Sequence, residues 1–268
     1  MHDLVNDLAQ YVSREFCCNY EDGKLHGIWE NARHFACLMD RFDRPDKFVA
    51  LNEVKYLRTF LPLTCSNPSQ CFALSDIVIA EWDSGSKISE LGKLSQLLTL
   101  CIRLQNVVDA TEASEASLNR TDYLSELVFK WTTISLSITN DVDSGIKVLE
   151  NLQPHKNLKK LTIENYSGVR FPDWLGDAIF RNMMSLSLKN CTNCVSLPPL
   201  QHLTSLEKLE INCCERLEEM PEHGLPNSLS YLRIKNCSLL ADRCQEDGVD
   251  WPIISYIANL YINGPMVS

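Results

Sequence analysis

Apolar positions in the second half of the chain recur in one short local pattern. "LKKLTIENY" begins at Leu158, "MMSLSLKNC" at Met183, "LEKLEINCC" at Leu206, "LSYLRIKNC" at Leu229 and "IANLYING" at Ile257. Each reads apolar-x-x-apolar-x-apolar. "LSELVFKW" from Leu124 fits as well, and "LLTLCI" from Leu97 fits more loosely. The last two apolar residues of each unit alternate with polar ones, which is the period of a half-buried strand. The leading residue, three positions earlier, enters the same core from the preceding turn. "ALSDIVIAEWD" (73–83) predicts one more strand, with "SNPSQ" as a loop before it. Near the start the period changes. Leu4, Leu8, Val12 and Phe16 recur every four residues, which predicts an amphipathic helix.

The middle apolar position of the pattern falls at 100, 127, 161, 186, 209, 232 and 260, so successive gaps are 27, 34, 25, 23, 23 and 28 residues. These values cluster around the 20–29 residues of a leucine-rich repeat, with one longer insertion. One such strand cannot cover its own apolar face, whereas stacked copies bury a continuous column. Each buried leucine contributes about 1.5–3 kcal/mol of transfer free energy, and only the summed stack outweighs chain entropy. The expected fold is α/β: a leucine-rich-repeat solenoid with a curved parallel sheet on the concave side. Loops and short helices lie on the convex side, and a short α-helical lead-in precedes the solenoid. "DATEASEASL" (109–118) reads as one of the convex helices, its acidity as a solvated face. Trp174, in "RFPDWLGD", reads as core aromatic.

The cysteines then acquire a place. Cys191 and Cys194 form a C-x-x-C, and Cys213 and Cys214 are adjacent, which invites a metal or redox reading. Yet Cys191, Cys214 and Cys237 are 23 residues apart, always three after the last apolar strand residue. This is the repeat's turn position, where a small donor satisfies carbonyls of adjacent turns. Cys194 aligns with Leu217 and Leu240 and replaces a core leucine. A zinc site needs four converging ligands, and no second C-x-x-C occurs. Neither a metal nor a cofactor is therefore expected. Cys213 aligns with Asn190 and Asn236 and is expected to face solvent at the strand exit.

Composition narrows the classes further. Across 268 residues 45% are apolar, which suits a globular chain with a sizeable core. A net charge of −10 argues against general nucleic-acid or anionic-membrane binding. The opening "MHDLVNDLAQ" is acidic and has no apolar core, so no secretory signal is read there, and no run is long enough for a membrane span. The expected location is cytoplasmic or nuclear, with reduced thiols. The four N-x-[ST] sequons at Asn119, Asn165, Asn190 and Asn236 are read as chance. No G-x-S-x-G, H-E-x-x-H or EF-hand pattern occurs, and no enzyme is expected.

Several stretches together resemble plant intracellular immune receptors, the nucleotide-binding leucine-rich-repeat resistance proteins of coiled-coil type. "MHDLVNDLAQYV" resembles the Met-His-Asp motif that closes the family's nucleotide-binding region. "ARHFACLMD" (32–40) and "KYLRTFLPL" (55–63) resemble its link into the repeats. "SGSKISELGKLSQL" (84–97), "LQNVVDATEASEASL" (104–118), "VLENLQPHKNLKKLTIENYSGVRFPDWLGD" (148–177) and "CVSLPPLQHLTSLEKLEI" (194–211) resemble its repeats. The resemblance implies residues 1–60 as a helical lead-in and 61–268 as the repeat domain. The family runs more repeats where only Thr64–Asp83 stands here, so an internal deletion with poor packing is expected near 64–83. The family's upstream P-loop, GxxxxGK[ST], is missing from this sequence. His2, which carries over as the nucleotide-contacting histidine, is expected to be idle, and the chain reads as a truncated receptor.

The expected binding surface is the outward set of strand positions. It comprises Lys159, Lys160, Thr162 and Glu164; Ser185, Ser187 and Lys189; Glu207, Lys208, Glu210 and Asn212; Tyr231, Arg233 and Lys235; and Tyr261. Charge, hydroxyl and aromatic groups on a rigid scaffold suit protein recognition. The resemblance implies a pathogen effector or a guarded host protein as partner, or a nucleotide-binding domain supplied in trans. Other readings are a ubiquitin-ligase substrate receptor, which needs a helical adaptor-binding module that residues 4–16 match poorly, a nucleotide-dependent switch ATPase, and a gene remnant without function.

Overall fold

The computed structural model of the chain describes residues 98–104, 110–131 and 142–264 throughout, and elsewhere the strand residues 17–21, 24–26, 34–39, 59–64, 76–78 and 266–267. Two sheets are formed. The first joins β1 (Cys17–Glu21), β2 (Lys24–His26), β3 (His34–Met39) and β4 (Thr59–Thr64) in the order β2-β1-β3-β4. The second runs in sequence order through β5 (Asp76–Val78), β6 (Thr99–Leu104), β7 (Glu126–Trp131), β8 (Lys160–Glu164), β9 (Ser185–Lys189), β10 (Lys208–Asn212), β11 (Tyr231–Lys235), β12 (Asn259–Ile262) and β13 (Met266–Val267). β5 to β12 pair in parallel, and β13 closes the end antiparallel. Strands that neighbour in sequence and in space, all parallel and each joined by a crossover, make the α/β repeat solenoid.

The first sheet departs from the expected helical lead-in. Cys17–Glu21, Lys24–His26 and His34–Met39, inside the stretch 1–60, are placed in strands. In β3, "HFACLM", Phe35, Cys37 and Met39 fall on alternate positions, a pattern that suits a pleated surface. β3 pairs in parallel with β4, His34 opposite Thr59, a separation like that of the repeats that follow. The expected helix over 4–16, His2 and most of 64–83 lie outside the described residues. The strand expected within 73–83 is placed at Asp76–Val78.

The core is three aliphatic columns. Leu127, Leu161, Leu186, Leu209, Leu232 and Leu260 lie opposite one another in register, as do Phe129, Ile163, Leu188, Ile211, Ile234 and Ile262. All twelve are buried. The leading residues Leu124, Leu158, Met183, Leu206, Leu229 and Ile257 form the third column. Each donates its N–H to the carbonyl three residues earlier, at 2.9–3.1 Å. That tight turn swings the side chain inward just before the strand begins, which explains the three-residue offset in the sequence.

Strand exit is equally repetitive. Asn165, Asn190, Cys213, Asn236 and Asn263 all adopt left-handed backbone, with φ between 51° and 59°. Asparagine tolerates that region better than other non-glycine residues. The residue after it points back into the stack. The Cys191, Cys214 and Cys237 thiols are buried and donate to main-chain oxygens two residues back, those of Lys189, Asn212 and Lys235 at 3.2–3.5 Å.

The convex side follows spacing. The 23-residue repeats close with turns and a single 3-10 turn at Leu200–His202. Longer repeats have room for helices: α1 (Ala110–Glu115), α2 (Val142–Asn151), α3 (Ser238–Arg243) and α4 (Trp251–Ile254). Ala113 and Ala116 are buried and Glu115 is exposed, so "DATEASEASL" does supply a convex helix with Glu115 outward. Trp174 is 5% exposed and donates its Nε1–H to the Leu149 carbonyl at 3.0 Å. Asp250 is buried and takes a bidentate hydrogen bond from Arg243, at 2.8 and 3.0 Å. No helix among the described residues is long and apolar enough to cross a membrane.

Candidate functional site

Because β7 to β12 run in register, the side chains opposite the core also line up. One row holds Glu126, Lys160, Ser185, Lys208, Tyr231 and Asn259. The next holds Val128, Thr162, Ser187, Glu210, Arg233 and Tyr261. A third, at the strand exit, holds Lys130, Glu164, Lys189, Asn212 and Lys235. Lys159 and Glu207 stand one residue ahead of β8 and β10, at the strand-entry edge. The fifteen residues expected from the sequence are thus brought onto one face and its rim.

Ser187 is the exception in accessibility. It is 7% exposed, and its Oγ makes no hydrogen bond among the described residues. It stands between Thr162 and Glu210 in register, and the short serine lies below its longer neighbours. An outward direction along the strand does not by itself make a side chain reachable.

Three groups on the surface were not among the expected residues. Glu126, Val128 and Lys130 of β7 extend the face by one strand, and Asn259 extends its far end. "LSELVFKW" follows the same repeat rule, so the signal for the first group was present. Leu98, Tyr123 and Met184 are exposed apolar residues that line, with Lys159, Glu207 and Asp122, a strand-entry groove of about 700 Å³. Only the fold brings these together, since they precede three different strands.

Charges on the face are partly paired. Lys160 Nζ meets Glu126 Oε1 at 2.5 Å, Lys130 Nζ meets Glu164 Oε2 at 3.4 Å, and Lys208 Nζ meets Glu210 Oε1 at 3.3 Å. Exposed pairs of this kind contribute about 0–1 kcal/mol, so they shape the surface more than they stabilise it. Lys208 Nζ also lies 5.1 Å from the Tyr231 ring centre, and the Tyr231 and Tyr261 rings are 5.3 Å apart. Lys189, Arg233 and Lys235 have no carboxylate partner among the described residues.

The buried thiols serve a different purpose. Cys194 donates to the Gly168 carbonyl at 3.1 Å, and burial holds its thiol protonated. The hydrogen bond with Cys191 pushes the Cys214 thiol up to about 12, and burial adds to that. Cys237 is raised in the same sense, first by its hydrogen bond with Cys214 and then by burial. A thiolate is the nucleophile, and these groups are held as thiols. Successive rungs of the ladder take one cysteine each, donating to separate carbonyls rather than converging on a point. Cys213 was expected to face solvent but is half-buried, with the Asn236 side-chain amide donating to its sulfur at 3.4 Å.

A family model described as R13L1/DRL21 leucine-rich repeats matches residues 86–214. The RPP13-like disease resistance protein 1 of Arabidopsis thaliana is 28% identical across 79% of this chain and 31% of its own length. The disease resistance protein RGA1 of Solanum bulbocastanum is 34% identical across 69% of this chain and 18% of its own. Disease resistance protein RGA2 of the same plant is 33% identical across 48% of this chain and 13% of its own. The chain therefore spans less than a third of the length of these curated relatives. The turn and strand geometry above and these matches agree: the chain belongs to the plant leucine-rich-repeat disease resistance family, with residues 86–214 as its R13L1/DRL21 repeats.

Proposed function

We propose that this chain is a non-catalytic protein-recognition module of plant innate immunity. Its concave sheet face takes a pathogen effector or a guarded host protein. The observation that carries this reading is the in-register face of β7 to β12, where unlike side chains stand on a scaffold held by three buried columns and a hydrogen-bonded turn ladder. A rigid support lowers the entropy cost of association, so a few anchors suffice for binding. Tyr231, Arg233 and Tyr261 are of the residue types that serve as such anchors. In a longer receptor, a partner seated there would bias the whole protein between states only to the extent that it binds one state better.

The test is affinity purification of the tagged chain from infected plant tissue, comparing wild type with Tyr231→Ala/Arg233→Ala/Tyr261→Ala and with the convex control Glu218→Ala/Glu222→Ala. The reading expects a specific protein that is lost from the face variant and kept by the control, while both variants unfold at the wild-type urea midpoint. Equal recovery with all three chains would overturn it.

A further inference from the structure

The chain is acidic, with a net charge of −10, but its charge is not evenly spread. In the β9–β12 part of the solenoid, the convex turns carry exposed Glu215, Glu218, Glu219, Glu222, Asp242 and Glu246. The sheet face opposite holds Lys189, Arg233 and Lys235, all without a carboxylate partner among the described residues. Arg233 and Lys235 are exposed and Lys189 is half-buried. Glu210, the one carboxylate nearby in the Arg233 row, is already engaged by Lys208 at 3.3 Å. Asn212 separates Lys189 from Lys235 in the exit row, so no acid interrupts that row from β9 to β11. Tyr231, two residues before Arg233 on β11, and Tyr261, opposite Arg233 on β12, are half-buried with rings 5.3 Å apart.

We propose that this end of the face docks an acidic, extended protein segment. Its carboxylates sit over Lys189, Arg233 and Lys235, and an aromatic or apolar side chain packs on the Tyr231–Tyr261 pair. The inference rests on the protein-recognition reading above and names the chemistry of the partner. Neighbouring strands stand about 4.8 Å apart, so Lys189 and Lys235 are separated by roughly 10 Å, the reach of three residues of extended chain. A segment in the polyproline II form, with three residues per turn and about 3.1 Å per residue, returns to the same face about every 9 Å, so an acid at every third residue matches that spacing. The opposed signs on the two sides of the solenoid also orient such a partner as it approaches, since complementary potentials speed encounter and suppress wrong poses. Nucleic acid is the weaker occupant. Its dense phosphate charge demands a broad basic footprint, and here the cationic area is small and the turns on the opposite side are acidic.

The probe is a fluorescein-labelled dodecapeptide repeating Glu-Tyr-Ser, read by fluorescence anisotropy with the full chain. Companion peptides carry Gln or Lys in place of Glu, and a single-stranded oligonucleotide competes. We expect the Glu peptide to bind more tightly than the Gln peptide, with affinity falling as salt rises. Lys189→Ala/Arg233→Ala/Lys235→Ala should weaken it at least about tenfold, and Lys160→Ala, already paired, by no more than about twofold. Lys189→Glu/Arg233→Glu/Lys235→Glu should lose the Glu peptide and gain the Lys peptide, a result that an unfolded protein does not produce. Equal binding of Glu and Gln peptides, an unchanged triple variant, or an oligonucleotide that competes better than the Glu peptide overturns the inference. If the Glu peptide fails while the tissue partner is still lost from the face variant, only the acidic class falls. If the face variant also keeps that partner, the recognition reading falls with it.

Discussion

The side-chain amide of Asn190 donates to the side-chain oxygen of Asn165 at 2.7 Å, from the same left-handed turn position one repeat further along. Asn165 in turn donates to the Trp131 carbonyl at 3.0 Å. Side-chain hydrogen bonds thus run between rungs, in parallel with the sheet. At the next rung Cys213 takes the place of asparagine, with φ 54°, and Asn236 reaches its sulfur at 3.4 Å. A non-glycine residue in left-handed backbone costs roughly 1–2 kcal/mol, less for asparagine.

Cys213→Asn should therefore raise stability by about 1 kcal/mol, and Cys213→Val should lower it by about 1–2 kcal/mol. Urea unfolding of the three chains checks both directions; a lower midpoint for the asparagine variant would show that this rung is not strained. In the native state, Cys213→Ser should also remove one thiol from those that react rapidly with a soluble disulfide reagent, because the other described cysteines are buried.

Leu209→Ala opens a cavity in the middle of the aliphatic column, between Leu186 and Leu232 in register. Leu209 has no exposed surface, and the neighbouring rungs are held by the sheet, so the site collapses little. The expected loss is about 2–5 kcal/mol. A loss under about 1 kcal/mol in chemical denaturation would mean the column is loosely packed.

Tyr166→Phe deletes one hydroxyl and leaves the shape unchanged. Tyr166 is buried against Trp131, at 5.0 Å between ring centres, and its OH donates to the Arg170 carbonyl at 2.9 Å. Burial keeps the phenol protonated across the working pH range. The variant should lose about 1 kcal/mol, the net worth of one such bond. An unchanged urea midpoint would place that carbonyl's satisfaction elsewhere.

Burial pushes the Cys244 thiol up to about 12 from an ordinary 9.0. Between those values an unfolded chain ionises this thiol and the folded chain does not, so the unfolded state binds fewer protons and stability falls as pH rises. Below about pH 9 the contribution is fully present. Cys244→Ala should be less stable at neutral pH, yet its urea midpoint should fall less steeply from pH 9 to pH 11 than that of the wild type. Parallel slopes for the two chains would contradict the raised value.

The strand columns were legible because two periods coincide: alternation within each strand and 23 to 28 residues between most strands. The same arithmetic placed Cys191, Cys214 and Cys237 on one ladder, and the structure has their thiols donating to turn carbonyls. Cys17–Glu21 and His34–Met39 were not legible as strands, because they lack the LxxLxL signature even though the offset of His34 from its partner Thr59 matches that of the later repeats. Ser187 could be assigned a direction but not a depth, since its accessibility depends on Thr162 and Glu210 from neighbouring strands.

What the sequence determined on its own is the repeat from β6 to β12: where those strands begin, which of their side chains face the core, and where the turn takes a small donor. Those features follow from local geometry copied rung after rung, and each copy carries its own instructions. The tertiary structure alone decided which cations go without a carboxylate partner among the described residues, how Leu98, Tyr123 and Met184 meet in one groove, and how deep Ser187 lies. Each of these depends on side chains from different repeats coming within a few ångströms. Distance across the stack is set by register and packing, which a linear pattern does not encode.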